Sequence, residues 1–470
     1  MHEDKKTVYV VQPPVAGPAP TPLSWRLAIA AAVLIAGSAA YILHTQNFLG
    51  PREQAAVGVF CFLGIVATLS ANLRAVNWRT IGLGFALQIL LAVCVIKVPP
   101  VYAFFDAIGF VVKKFLEFTS AGSQFVFGNL ANPTEMNKVF PPNHGFIFAF
   151  SGLPTVIFVA SFFTVLYYFG VLQFLVRLMA KAMMFLLQTS GAETLSVTAN
   201  IFMGQTEAPL IIKPYIPRMT QSELLTLMVG GMAHVSGGIM AVYIGLGADP
   251  VAILATSVMA SPCTLYLTKL FLPELEVPET RGEAQAVVER QHVNVIDAAA
   301  SGASEGMRLA INIAAMLIAF LAFIELFNAL LKAIPVEPQL SLQRLFSWMF
   351  APVAFLIGVE GADIPKVADL LGTKLVGNEL LAYVKFHEYV GLAAQPLSPR
   401  AQVLASYALT GFANFASIGI QIGGIGALAP TRRHDLARFG LKALFVGFLV
   451  TLINAALAGM LLQLPDTPLP

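Results

Sequence analysis

Charge is what this chain has least of. Of its 470 residues, 11% are Asp, Glu, Lys or Arg and 57% are hydrophobic, whereas soluble domains carry about 25% charged residues. Too few charges are present to cover a water-soluble surface of this size. A basic face is missing too: the formal net charge is +2 and the lysines and arginines are scattered through loops, so nothing points to nucleic acid. Cysteine is nearly absent. Cys61, Cys94 and Cys263 sit in separate apolar segments without metal-ligand spacing and read as buried unpaired thiols. His387-Glu388 lacks the second histidine of a zinc-protease helix. Gly424-Ile425-Gly426 imitates a dinucleotide-binding turn, but it ends an apolar span with no strand ahead of it. No cofactor is expected.

What is present is a succession of apolar runs, each near the roughly 20 residues that cross about 30 Å of hydrocarbon. Spans are predicted at 26–45, 54–71, 79–98, 146–170, 222–246, 250–270, 305–331, 402–427 and 439–463, nine crossings in all. Segment 101–128, with Lys113-Lys114 among aromatics, reads as an interfacial helix. Stretches 190–216 and 350–390 are apolar but broken by Gly, Pro and carboxylates. Residues 272–297 are the one long hydrophilic loop, expected to be a flexible connector. Residues 1–25 open with His2-Glu3-Asp4-Lys5-Lys6 and continue through prolines from Pro13 to Pro22, a tail expected to be disordered and cytoplasmic. A cleaved signal is the competing reading, since Arg26 precedes an apolar run ending near Ser38-Ala39-Ala40; the long polar lead-in favours a retained helix. With the N-terminus inside, Arg74, Arg79, Arg177, Lys181, Lys213, Arg218 and the cluster Arg432, Arg433, Arg438 and Lys442 fall on the cytoplasmic side if both broken stretches re-enter, while Lys366, Lys374 and Lys385 start from the outer side.

The two halves share an order. Thr206-Glu207 with Lys213 matches Asn378-Glu379 with Lys385, the Glu-to-Lys offset being six in both. The next span carries Gly231-Met232-Ala233-His234 in the first half and Gly411-Phe412-Ala413-Asn414 in the second. Each unit therefore runs broken hairpin, interrupted helix, closing helix, and an odd number of crossings between them makes the copies inverted. Secondary transporters build midplane sites this way, because unwound backbone and half-helix ends supply polar groups at that depth.

Glu207 and Glu379 sit in apolar surroundings, where an ionised carboxylate costs at least about 2.5–3.5 kcal/mol unless paired or wet. The bland alternative is that each neutralises a neighbouring lysine at a hairpin arm or sits at a wet interface. The first tip, Asn200 to Pro209, combines Gly204, Gln205, Thr206 and Glu207, a mixture of donors and acceptors that suits a nucleobase edge. The second offers Glu379, Asn414 and Ser417 for sugar hydroxyls, with Phe412 placed to stack.

Gly204-Gln205-Thr206-Glu207-Ala208-Pro209-Leu210, Asn378-Glu379 followed by Ala382-Tyr383, and Gly411-Phe412-Ala413-Asn414-Phe415-Ala416-Ser417-Ile418 resemble the signature motifs of the concentrative nucleoside transporters. The likeness runs over roughly 55–465 and includes Phe146 to Phe150 and Asn294 to Ala300. It implies a homotrimer in the cell membrane, the inner membrane of a bacterium, each protomer having a scaffold and a mobile transport domain. Gln205, Thr206, Glu207 and Ile239 would meet the base of a nucleoside such as uridine, cytidine or adenosine. Glu379, Asn414 and Ser417 would meet the ribose, with Phe412 nearby. By the same resemblance a sodium ion would touch Asn200, the Met203 carbonyl, position 234 and the Val235 carbonyl.

Two features depart from the family. The span at 26–45 precedes the usual core, and position 234 is His where sodium-coupled relatives have a small hydroxyl residue. Imidazole is a poor ligand for a hard cation. Either coupling shifts toward protons, His234 having an unperturbed pKa of about 6.5, or the ring turns aside and water takes its place.

The expectation is thus an all-α polytopic membrane protein with inverted repeats, each holding a re-entrant helical hairpin and a discontinuous helix, divided into scaffold and transport domain. Boundaries are expected at 1–25 (tail), 26–189 (mostly scaffold), 190–271 (first repeat), 272–297 (loop), 298–345 (scaffold span) and 346–470 (second repeat). Function is expected to be sodium- or proton-driven nucleoside import without covalent chemistry. The alternatives are carriage of another polar uncharged solute, an intramembrane enzyme or a channel.

Overall fold

Apolar runs punctuated by capping residues give helices almost throughout. In the computed structural model residues 18–140, 145, 147–281, 292–337, 339–391 and 395–462 are described. The N-terminal charged cluster with its first prolines, Phe146, and Glu289 in the 272–297 loop lie outside them. Among the described residues the only β pairing is a single bridge between Ser190 and Arg281.

The helices are α1 (Leu23–Thr45), α2 (Pro51–Thr68), α3 (Trp78–Lys97), α4 (Pro99–Phe127), α5 (Leu153–Tyr168), α6 (Val171–Leu187), α7 (Gly191–Ala199), α8 (Gln221–Ala233), α9 (Gly237–Gly245) and α10 (Pro250–Phe271). The second half holds α11 (Val295–Lys332), α12 (Leu342–Leu356), α13 (Ile364–Val376), α14 (Glu379–Gly391), α15 (Pro399–Leu409), α16 (Phe415–Leu428) and α17 (Arg433–Leu461). By length and composition, seven stretches among the described residues are long and apolar enough to cross a membrane, α8–α9 counting as one. The two other predicted spans differ for local reasons. Helix α2 has 18 residues with Arg52 and Glu53 in its first turn, and 402–427 is cut in two between Leu409 and Phe415.

Two kinds of packing stand out. Helices α5 and α11 lie against each other with Gly302 and Gly306 in the seam: a Cβ at Gly302 would sit 2.5 Å from Thr164 Oγ1, and one at Gly306 would sit 2.7 Å from Ile157 Cα. This small-xxx-small spacing lets apolar helices approach closely where no hydrophobic force drives them together. The other body gathers α2, α3, α8, α10 and α17 around a continuous buried core. Helix α1 lies along α2, its Val33 filling the notch at Gly64 and its Trp25 ring 5.3 Å from the Arg74 guanidinium.

The loop expected to be a flexible connector is, over its first part, a strap. Thr280 O accepts from Gly191 N at 2.8 Å and Thr280 Oγ1 accepts from Ala192 N at 3.0 Å. Lys269 Nζ is buried between Glu193 at 2.9 Å and Glu274 at 3.0 Å. Two needs are met at once: Glu274 balances the charge of the buried lysine, and Thr280 supplies acceptors for the free N–H groups that begin α7.

Candidate functional site

Each half contains a hairpin followed by a broken helix, and the two breaks touch. The first hairpin rises through α7, closed at its start by a capping box between Ser190 and Glu193. It returns not as an α-helix but as 3₁₀ turns at Ala208–Ile212 and Ile216–Arg218, because Pro209, Pro214 and Pro217 withhold backbone donors. The second hairpin consists of α13 and α14, joined at Gly377-Asn378, with Asn378 Oδ1 accepting from Leu381 N at 2.7 Å.

Helix α8 stops at Ala233 and α9 restarts after Ser236, whose hydroxyl accepts from Ile239 N. Helix α15 stops at Leu409 and α16 restarts after Asn414, whose Oδ1 accepts from Ser417 N at 2.9 Å. Across the gap Phe412 N donates to His234 O at 3.2 Å, and Gly237 N donates to Phe202 O at 3.0 Å. Gly411 has φ +137°, and a Cβ there would lie 2.7 Å from Thr451 Cγ2 and 3.1 Å from Ala233 O, so only glycine fits this crossing.

The polar side chains converge there. Glu379, the first residue of α14, accepts from Tyr243 Oη at 2.9 Å and from Asn414 Nδ2 at 2.7 Å. Gln205 on the first tip donates through Nε2 to Ser417 Oγ at 3.2 Å and accepts at Oε1 from Gln421 Nε2 at 3.2 Å. The residues expected to meet a base and those expected to meet a ribose are therefore joined by the Gln205–Ser417 bond. Thr206 packs on Gly424, where a Cβ would come within 2.7 Å of Thr206 Cγ2; helix packing, not a nucleotide turn, accounts for that glycine. Glu207 is exposed and accepts from Gly204 N at 3.0 Å. Ile239 is buried in the first turn of α9, and Phe412 is half-buried at the crossing.

Lys385, six residues after Glu379, pairs instead with Asp369 at 2.8 Å, while Lys374 on the other arm of the hairpin is fully buried and donates to Ala408 O at 2.8 Å and Thr451 Oγ1 at 3.1 Å. Lys213 is exposed. Sequence reasoning passed over Tyr243 and Gln421. Tyr243 is fully buried and stacked on Tyr383 with ring centroids 4.2 Å apart. Gln421 is a buried amide in an otherwise apolar helix, and that isolation was its only signal.

The Gly237–Phe202 bond ties the break that holds His234 and Val235 to the first tip, and Asn200 lies beside α8, where a Cβ at Gly230 would come within 3.2 Å of its Nδ2. Asn200 Nδ2 donates to Ser196 O at 3.0 Å, while its Oδ1 is buried without a donor. A buried amide oxygen beside unwound backbone is the donor set a hard cation prefers. His234 offers no such oxygen. Its Nδ1 lies 2.9 Å from Gly230 O and its Nε2 lies 3.0 Å from Ser261 Oγ. A carbonyl only accepts, so Nδ1 carries a proton, and in the neutral ring Nε2 accepts the serine hydroxyl. A neutral ring is thus fully hydrogen-bonded without any ligand.

Three family models match the chain: Na+ dependent nucleoside transporter N-terminus over residues 57–130, Nucleoside recognition over 149–250, and Na+ dependent nucleoside transporter C-terminus over 252–459. Helix α1 precedes all three. Sodium/nucleoside cotransporter 1 of Mus musculus is 41% identical over 419 residues, covering 86% of this chain and 63% of the mouse protein. The chain thus spans less than two thirds of the mammalian relatives' length. Solved structures of CNTnw agree in fold: an inward-facing substrate-bound state aligns at TM-score 0.82 with 38% identity, covering 87% of this chain and 98% of that one. An outward-facing state aligns at TM-score 0.83, also with 38% identity, covering 87% of this chain and 98% of that one.

The relatives so named are transporters, not enzymes. An uncharacterized transporter of Haemophilus influenzae is 39% identical over 413 residues, covering 87% of this chain and 97% of its own length. With that near-complete likeness, and with the matched segments running from the first core helix to the last, the chain belongs to the concentrative nucleoside transporter family.

Proposed function

We propose that this protein imports nucleosides together with sodium, by alternating access of a pocket formed between its two hairpins. The observation that carries this reading is the meeting of the two breaks, Phe412 N to His234 O at 3.2 Å, with Gln205 and Ser417 joined across it at 3.2 Å. In this reading Gly204, Gln205, Thr206, Glu207 and Ile239 face the base, and Glu379, Asn414, Ser417 and Phe412 face the ribose. Sodium is held by Asn200 and the carbonyls of Met203 and Val235. His234 stays neutral and turned onto Ser261, so it neither ligates the ion nor replaces it.

The two units, 190–271 and 346–470, act as inverted repeats that form the transport domain, while 26–189 and 298–345 supply most of the scaffold of a homotrimer. Movement is of the elevator type, in a multi-pass protein of a bacterial inner membrane with its N-terminus in the cytoplasm. The test is uptake of labelled uridine and adenosine into proteoliposomes under separate sodium and proton gradients, with choline replacing sodium at two pH values. Uptake is expected to require sodium and to accumulate substrate against its gradient. Accumulation that survives in choline and follows the proton gradient would sink the sodium assignment, and a chemically altered product would sink the transporter reading.

A further inference from the structure

We propose that Gln421 is a specificity-determining residue: it fixes which way round the Gln205 amide faces the base. The inference rests on the reading that Gln205 meets the base. Gln421 lies on α16 and is completely buried. Its Nε2 is 3.0 Å from Met228 O and 3.2 Å from Gln205 Oε1.

The polarity of this chain of amides follows from its far end. Met228 O is a backbone carbonyl and only accepts, so the group of Gln421 that faces it must be the NH2. That same NH2 faces Gln205, which must therefore present its oxygen. Gln205 Nε2 is left to point at Ser417 Oγ, 3.2 Å away. Turning Gln205 over would set NH2 against NH2, and turning Gln421 over as well would set its oxygen against the Met228 carbonyl. Both alternatives lose a buried hydrogen bond. Room for the arrangement comes from Gly231, where a Cβ would lie 2.5 Å from Gln421 Nε2 and 2.9 Å from Gln205 Cβ.

With the amide set, Gln205 offers a ligand its second Nε2 hydrogen and its second Oε1 lone pair in one fixed order. Uracil and cytosine differ in this respect, because a keto oxygen and a ring N–H in one are replaced by an amino group and a bare ring nitrogen in the other. Gln421 thereby acts on base choice without touching the base.

The experiment measures initial uptake of uridine and cytidine by the full-length protein in proteoliposomes, for the wild type, Gln421→Leu and Gln205→Leu. The wild type is expected to have different KM values for the two nucleosides. Gln421→Leu is expected to change the ratio of those values about fivefold, the worth of one amide hydrogen bond, with kcat nearly unchanged. Gln421→Met, closer in shape, replaces it if the leucine variant inserts poorly. Equal wild-type KM values, or parallel shifts for both nucleosides in the variant, would overturn the proposal. Gln205→Leu is expected to raise KM for both. If it leaves KM unaltered, the base-site reading fails instead, which separates the two outcomes.

Discussion

Glu379 is held by two other elements, 2.9 Å from Tyr243 Oη and 2.7 Å from Asn414 Nδ2, whereas Glu207 accepts from Gly204 N of its own tip at 3.0 Å and is exposed. Around Glu379 the backbone is helical from its first residue; after Glu207 it runs into 3₁₀ turns. One carboxylate is positioned before any ligand arrives, and the other rests on a local bond that it can exchange. On the proposed roles this division matches the substrate class. Ribose is common to all nucleosides and suits a rigid set of acceptors and donors, while the base varies and suits groups that adjust. Preorganisation lowers the ordering cost of binding only where the partner is always the same.

The largest test of this contrast is Glu379→Gln. It removes the charge from an acceptor that serves two buried donors, each such bond to a charged group being worth about 1.5–3 kcal/mol. Uptake is expected to fall about a hundredfold or more while the protein still inserts and elutes as the wild type does on size exclusion. Near-normal uptake would contradict the ribose assignment. Next comes Tyr243→Phe, which keeps the ring stack on Tyr383 and removes only the hydroxyl. KM is expected to rise about tenfold, the equivalent of a single charged hydrogen bond. An unaltered KM would mean that Asn414 alone holds the carboxylate.

How far the site could be read from the chain depends on what each residue was doing there. Gly204 to Glu207 and Asn414 to Ser417 were legible because polar groups in apolar runs have no packing reason to exist, and the structure brings them to one place. Tyr243 was not, since a tyrosine in an apolar half-helix reads as packing, and only the position of Glu379 on another hairpin gives its hydroxyl a role. Gln421 was hidden for the same reason: its partners, Gln205 and Met228, come from the other half of the chain. His234 raised a real question, as a titratable ring where the resemblance calls for a hydroxyl. The ring's partner is Ser261, which no local pattern connects with it. The strap at Pro273 to Arg281 was misread because its charges suggested solvent, whereas Glu274 pairs with the buried Lys269 and the uncharged Thr280 accepts from the start of α7. In the first hairpin the prolines already ruled out a returning α-helix, so its 3₁₀ form was open to reading in the sequence.

The smallest expected effect is that of Glu207→Gln, and it bears most directly on the contrast between the two carboxylates. Glutamine keeps an oxygen for the Gly204 N–H, so the tip should keep its shape and the Gln205–Ser417 bond should survive. What changes is the charge offered toward the base and toward the nearby cation residues. KM for nucleoside is expected to rise about threefold to tenfold, within the range of one exchanged hydrogen bond, and the change should differ between uridine and adenosine because their edges differ. Glu379→Gln, by contrast, should impair both nucleosides equally, since the ribose does not change. If Glu207→Gln abolished uptake of both as fully as Glu379→Gln, the first tip would be as preorganised as the second hairpin in the working protein. The self-bonded carboxylate would then belong to one stage of the transport cycle and not to the way this half of the pocket recognises its ligand.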